Sequence, residues 1–159
     1  MARYIVDSRM ENHEKYYFIR ELESQDIVLL PTKYLMHKKR SRLSPNTIRR
    51  SAGAISYYLN YLDEYSLRLD DIWEMKYDKQ QEHFTDYLIW LQAGLHSGDN
   101  LKKNPCNETC NAYLKEVFRF YGFAGRQDEP VKQLKVLSDM RIIVNNSVGV
   151  RRTIHRNSF

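Results

Sequence analysis

The residues best suited to chemistry in this sequence are polar and cationic side chains that recur at helical spacing. Asn46, Arg50, Gly53 and Tyr57 follow one another at intervals of four, three and four residues, which places them on one face of a helix. An arginine can neutralise a phosphate, an asparagine can bond a base edge, and a glycine lets another backbone approach closely. This face suits a polyanion, although an ordinary solvated helix face has the same composition.

A second segment repeats this chemistry. Lys115 and Arg119 lie four residues apart, with Asn111 at the edge of the same face, and the preceding loop carries Lys102 and Lys103. We expect the polar faces of the two helices to turn the same way. They would then form a positive saddle shaped for a double helix, with Arg50 and Lys115 both on it.

Charge is segregated along the chain, which has a formal net charge of +5. Residues 27–62 hold seven bases and no acid, residues 63–90 hold three bases and eight acids, and residues 131–159 hold six bases and one acid. A segregated positive surface is typical of proteins that bind polyanions, although solvated charged faces without a ligand also occur. The basic run at 38–42 stands just before a helix start, where the helix dipole also favours anions.

Other kinds of site find little support. Cys106 and Cys110 have only His96 near them, whereas a zinc site needs four ligands, so we predict no metal and treat Cys110 as a core residue. The sequence has no phosphate-loop, dinucleotide-binding or HExxH motif, and we predict no cofactor. Two cysteines, no signal-peptide pattern and no long apolar stretch favour a cytoplasmic protein that does not enter a membrane.

The elements that must position these residues are mainly helical. Ser44 is a suitable N-cap and Pro45 suits the first helical position, so the first long helix begins there. Its inner stripe recurs at helical spacing and comprises Ile48, Ala52, Ile55, Leu59 and Leu62. A connector with four apolar anchors follows, at Leu67, Leu69, Ile72 and Trp73.

Three more helices are predicted after the connector. The second spans about 78–93, ends at Gly94, and has Phe84, Tyr87, Leu88, Leu91 and Leu95 inside. The third spans about 107–123, with Cys110, Leu114, Val117 and Tyr121 inside. The fourth spans about 131–141, with Leu134 and Leu137 inside, and residues 142–144 that follow are β-like.

The N-terminal part is predicted to hold two short strands, at 17–19 and 27–30, around a turn at 23–26. Pro31 would end the second strand, because proline cannot donate to a strand ladder. A short helix over 32–39 would follow, with Tyr34 and Leu35 on its apolar side.

Several phrases, in this order, resemble the core-binding domain of tyrosine recombinases, the phage-integrase family. Residues 42–49 (RLSPNTIR) resemble the phrase that opens that domain, and the helix that follows is similar too. Residues 81–92 (QEHFTDYLIWLQ) resemble its second helix, and residues 108–114 with 117–121 resemble its third. The leading 16–35 segment is similar to the hairpin and helix that precede this domain in some transposon-encoded integrases.

The resemblance covers roughly 16–125 and implies a mainly α fold. This is a SAM-like core-binding bundle of four to five helices with a short N-terminal β-hairpin. It divides the chain into an N-terminal hairpin and short helix (1–40), the core-binding domain (41–125), and a fourth helix with a basic interdomain linker (126–159). The implied partner is double-stranded DNA at a recombination site, and other recombinase protomers in a synaptic tetramer remain open as further partners.

The candidate DNA-binding residues lie around the first and third helices. They are Arg42, Ser44, Asn46, Thr47, Arg50, Lys102, Lys103, Asn111, Lys115 and Arg119. We expect the cations and hydroxyls to hold phosphates, and Asn46 and Asn111 to contact bases or sugars. The family often carries an arginine at the position of Phe118, so contacts on that helix are not carried over residue by residue.

The family's chemistry belongs to a separate C-terminal domain, which transfers strands through a 3′-phosphotyrosyl bond. The last tyrosine here is Tyr121, inside the third predicted helix, no H-x-x-R follows it, and residues 126–159 are too few for such a domain. We therefore predict no catalysis by this chain. Two alternatives stay open: a helical protein–protein adaptor using Tyr57, Tyr58 and Tyr61, and a stand-alone regulator that competes with an intact recombinase for its site.

Overall fold

Five α-helices and two β-hairpins make up the described part of the protein. The computed structural model describes residues 2–100, 104–136, 143–147 and 150–153, with backbone alone at 98–100 and in the last two segments. The mainly helical fold class with a short N-terminal hairpin is confirmed. Within these residues, none of the helices has the length and apolar character needed to cross a bilayer.

The N-terminal hairpin is formed by β1 (Tyr4–Glu11) and β2 (Glu14–Glu21), paired antiparallel. Asn12 and His13 close it in the left-handed backbone region that two-residue hairpin turns require. The strand predicted at 27–30 is wrong. Ile27 makes only an isolated bridge to Arg20, because a helix begins two residues later.

The first helix, α1 (Leu29–Arg40), starts earlier than predicted. Pro31 lies in its first turn, where backbone N–H groups have no partner within the helix, so proline costs little there. Tyr34 and Leu35 are buried, as predicted.

The second helix, α2 (Pro45–Glu64), confirms the predicted start and inner stripe. The Ser44 hydroxyl accepts a hydrogen bond from the Thr47 backbone N–H at 3.2 Å. All five residues predicted for the stripe are buried, namely Ile48, Ala52, Ile55, Leu59 and Leu62.

The connector contains a short helix, α3 (Leu69–Glu74), whose Ile72 and Trp73 are buried. The next helix, α4 (Tyr77–Gln92), buries the predicted residues Phe84, Tyr87, Leu88 and Leu91. The prediction for Leu95 is wrong, since its side chain is 56% exposed. Gly94 adopts a φ of 76° that ends α4, so Leu95 begins a 3-10 turn (Leu95–Asn100) and leaves the helical stripe.

The last long helix, α5 (Asn107–Arg126), buries Cys110, Leu114, Val117 and Tyr121, as predicted. The predicted fourth helix starts later than expected: residues 131–134 are not helical, residues 135–136 are, and Leu134 is buried as predicted. Residues 137–142, with Leu137, lie outside the described residues. The Gln80 side chain on α4 binds this segment: its Oε1 accepts hydrogen bonds from the backbone N–H groups of Lys135 and Val136. The β-like segment lies in strand β3 (Ile143–Ser147), which pairs with an unpredicted β4 (Val150–Thr153).

A chain of hydrogen bonds crosses the aromatic core. The Tyr58 hydroxyl lies 2.9 Å from His83 Nε2 and 2.8 Å from the Tyr121 hydroxyl, which in turn donates to the Leu69 carbonyl. Burial lowers the pKa of His83 to about 4, so the ring is neutral inside the folded protein near pH 7.

Stability should therefore fall as the pH drops from about 6.5 to about 4, by about 3 kcal/mol in total. The unfolded chain binds a proton on His83 in that window, whereas the folded chain does not. Burial lowers the pKa of His96 as well, which acts in the same direction.

Urea unfolding at several pH values checks this pH dependence of stability. His83→Gln should flatten most of the slope, and His13→Asn at the exposed hairpin turn should keep it; an unchanged slope in His83→Gln would contradict the assignment.

Two glycines give a matched stability test, because the same Gly→Ala substitution should stabilise the protein in α2 and destabilise it in α5. A Cβ at Gly53 in α2 would meet nothing within 4 Å, whereas one at Gly125 in α5 would lie 2.0 Å from the Lys132 carbonyl oxygen. Gly53→Ala should raise the free energy of unfolding by roughly 0.5–1 kcal/mol. Gly125→Ala should lower it by about 2 kcal/mol or more. Urea midpoints measure both, and equal effects would show that Gly125 is not confined.

Candidate nucleic-acid interface

A groove of about 640 Å³ runs between the outer faces of α2 and α5. Three arginines line it, Arg49 and Arg50 from α2 and Arg119 from α5. All three are exposed, so their guanidinium groups are accessible to a ligand. The remaining lining residues are Thr47, Ser51, Gly53, Ala54, Tyr57, Thr109, Ala112, Tyr113 and Glu116.

The structure brings three of the predicted site residues together in this groove: Thr47, Arg50 and Arg119. Arg50 acts across it, because its positive charge opposes the rise in the pKa of Tyr113 that burial causes. Gly53 and Tyr57, from the same predicted face of α2, also line the groove. The two helices therefore share one cationic surface.

Lys115 and Asn111 do not line this groove. Both are half-buried on α5, and Lys115 lies four residues before the groove residue Arg119, which places it about 40° around the helix from that arginine. The groove lining therefore pairs Arg50 with Arg119, while Lys115 stands at the edge of that lining. The wider saddle that includes Lys115 stays a prediction.

The remaining predicted residues lie near the start of α2 or outside the described part. Arg42 is exposed in the turn before α2, with a left-handed φ of 60°. Ser44 caps the helix, and its hydroxyl also lies 2.9 Å from that of Thr47. The Asn46 Oδ1 accepts a hydrogen bond from Arg49 at 2.8 Å. Lys102 and Lys103 lie outside the described residues.

A second cavity of about 590 Å³ adjoins the groove, between the hairpin and α2. It shares Arg49, Gly53 and Tyr57 with the first, so the exposed face of α2 forms the floor of both. Lys15 on β2 adds a cation to its lining. Together the two cavities flank α2 with the hairpin on one side and α5 on the other.

The Asn60 side chain fixes the hairpin beside α2. Its Oδ1 accepts the backbone N–H groups of Arg3 at 2.9 Å and Tyr4 at 2.8 Å, and its Nδ2 donates to the Tyr4 carbonyl at 3.1 Å. The Arg3 guanidinium also pairs with Asp63 and Glu21. The Asn60 side chain therefore fixes the position of the hairpin, which forms one wall of the second cavity.

The base of the groove holds a buried carboxylate, Glu116, which sequence reasoning missed. It accepts hydrogen bonds from the hydroxyls of Ser51, at 2.8 Å, and Tyr34. Lys38 lies 3.3 Å away with its side chain only 12% exposed, and Arg119 lies 3.7 Å away. Burial, followed by the bond to Glu116, raises the pKa of Tyr34 far above its usual value.

These contacts change how the basic run at 38–42 is interpreted. Lys38 is directed at Glu116, and Lys39 lies 3.5 Å from Glu14 and above the Tyr16 ring. These two lysines are therefore engaged in internal pairs. Because Lys38 offsets the charge of Glu116, the three arginines leave the groove net positive.

Arg49 was also missed, although the sequence held a clue to it. It precedes Gly53 by four residues and Tyr57 by eight, so it belongs to the same helix face as both. Glu116 offered no such clue, because its partners Ser51 and Tyr34 are 65 and 82 residues away.

No protein-family model, curated protein or solved structure matches this chain. The resemblance to tyrosine recombinases therefore stays a prediction. Support for a function has to come from the groove itself.

Replacing Glu116 by Gln should lower the free energy of unfolding by about 3 kcal/mol, because Lys38 would stay buried without its charge partner. Adding Lys38→Met removes that stranded charge. The double variant should then lose at least about 1 kcal/mol less than the sum of the single variants. Urea unfolding of all four proteins measures this coupling.

Arg119→Ala is the control, since its 61% exposed side chain forms a solvent-screened pair that should contribute below about 0.5 kcal/mol to stability. Strict additivity of Glu116→Gln and Lys38→Met would show that the two groups do not interact.

Proposed function

We propose that this chain binds duplex DNA along the α2/α5 groove, as the core-binding domain of a site-specific tyrosine recombinase that takes part in DNA integration and recombination. The observation that carries the proposal is the convergence of Arg49, Arg50 and Arg119 from two helices on one groove. The order of the recombinase-like phrases in the sequence supports the narrower family proposal.

The chemistry of the groove fits a phosphate backbone. Guanidinium groups bind phosphate oxygens through two parallel N–H bonds, and such contacts supply most of the affinity for DNA. The hydroxyl of Thr47 can add a bond to the same backbone. Gly53 leaves open space in the floor, so a sugar–phosphate chain can approach α2 closely.

The tyrosines of the core support a binding role without catalysis. The Tyr121 hydroxyl is bound to the Leu69 carbonyl and to Tyr58, and burial raises its pKa. A nucleophilic tyrosine needs an accessible hydroxyl beside groups that stabilise the phosphorane. Tyr121 has neither, so we propose that the strand-transfer chemistry belongs to another domain.

The two alternative functions fare differently. The adaptor hypothesis invoked an aromatic surface on α2, but Tyr58 and Tyr61 are buried and Tyr57 is half-buried. A stand-alone regulator would use the same groove and the same DNA. We further propose a cytoplasmic location, consistent with Cys106 and Cys110 both being free thiols.

Affinity for a 25-base-pair duplex, measured by fluorescence anisotropy between 50 and 200 mM NaCl, should fall steeply with salt. Arg50→Ala and Arg119→Ala should each reduce the slope of log K against log salt by about 0.9, because each removes one phosphate contact. Lys79→Ala is the matched control, since Lys79 does not line the groove, and it should leave the slope unchanged.

A flat salt response of the unaltered protein would contradict DNA binding. Equal losses in the arginine variants and in Lys79→Ala would contradict the groove as its location.

A further inference from the structure

A third cavity, of about 430 Å³, shares no lining residue with the other two. It lies between the end of α2, the connector and α4. Its lining combines aromatic, apolar and acidic residues: Tyr61, Tyr65, Leu67, Met75, Lys79, Glu82, His83, Asp86, Ile89, Trp90, Ala93 and Leu95. Its volume lies within the range of cavities that hold small ligands or single side chains with their neighbours.

The apolar part of this cavity is open to solvent. Tyr65, Ile89 and Leu95 are 54%, 44% and 56% exposed, and all three line the same cavity. Single apolar residues scattered over a surface are ordinary, whereas these three are gathered around one cavity.

The aromatic part of the lining consists of packed rings, one of which is open to solvent. The ring centroid of Tyr61 lies 4.9 Å from that of Tyr65 and 5.3 Å from that of Trp90, with the planes inclined at 51° and 64°. Tyr61 and Trp90 are each 5% exposed, so the accessible ring faces are those of Tyr65, which is 54% exposed. An ammonium or guanidinium group within about 6 Å of such faces is attracted to them.

The acidic part adds the complementary charge. Glu82 and Asp86 line the cavity, and Glu64 accepts a hydrogen bond from the Trp90 Nε1 at 2.7 Å. After burial, the nearby charge of Asp86 is the largest cause of the raised pKa of Tyr61, so this carboxylate acts at the aromatic wall. The one cation in the lining, Lys79, lies 3.7 Å from Glu82.

We propose that this cavity is a docking site for a protein segment in which an arginine or lysine side chain is flanked by bulky apolar residues. The cation would lie against the exposed ring of Tyr65, within reach of Asp86. Its apolar neighbours would cover Ile89 and Leu95. Charge complementarity selects this occupant, because residues 63–90 hold eight acids and three bases and so repel a nucleic acid.

The proposal does not rest on DNA binding, and the probe is chosen accordingly. Acetyl-Leu-Arg-Leu-amide is titrated into the ¹⁵N-labelled full chain, and acetyl-Leu-Glu-Leu-amide is the charge-reversed control. The two tryptophans report separately, because the Trp90 indole lines the cavity whereas the Trp73 indole does not. We expect the arginine peptide to shift the Trp90 indole resonance and leave that of Trp73 in place, with the glutamate peptide binding about ten-fold more weakly or not at all.

Two variants test the location. Asp86→Lys reverses the charge beside the aromatic wall, and Ile89→Lys places a cation at an exposed position of the rim, so that one remains informative if the other fails to fold. Each substitution should lower the affinity for the arginine peptide by about five-fold or more. Glu74→Lys makes the same charge change on α3 outside the cavity and should change the affinity by less than about two-fold.

Three results would overturn the proposal. The Trp90 resonance could fail to move with the arginine peptide, or it could move equally with the glutamate peptide. It could also move with protein concentration alone, which would identify a second copy of this chain as the occupant.

Discussion

The relative placement of α1, α2 and α5 depends on one buried carboxylate. Glu116 on α5 takes hydrogen bonds from Tyr34 on α1 and Ser51 on α2, and it pairs with Lys38 on α1. A buried charge is tolerated only where partners surround it, so each of these contacts must form together with the others. The shape of the groove follows from that requirement, because all its lining residues belong to α2 and α5, which Glu116 joins.

The long helices could be predicted from sequence because their apolar repeats are decided locally. The N-cap at Ser44 and the end of α4 at Gly94 follow from the backbone needs of single residues. The error at Leu95 has a local cause in Gly94, whereas the start of the predicted fourth helix was misplaced because a distant group decides it. The Gln80 Oε1 accepts the N–H groups of residues 135 and 136, where that helix begins, and no local pattern predicts a contact from a residue 55 positions earlier.

The same division applies to the groove. Thr47, Arg50 and Arg119 were predictable because a helical face shows its polar residues at fixed spacing. Lys115 shows the limit of that reasoning. It belongs to the polar face of α5, but that face is wider than the part of it that lines the groove. The periodicity of the sequence predicts which side of a helix a residue lies on to within about one residue, or 100°. The packing of the helices decides which residues of that side line the groove.

The Asn60 clamp on the hairpin has a thermodynamic consequence for anything that enters the adjoining cavity. Its three hydrogen bonds hold the first residues of the hairpin against α2 in the unliganded protein. The conformational entropy of that segment is therefore lost during folding and is not lost again on association. The hairpin is ordered before a ligand arrives. The association rate is therefore limited by collision and orientation rather than by the ordering of a loop.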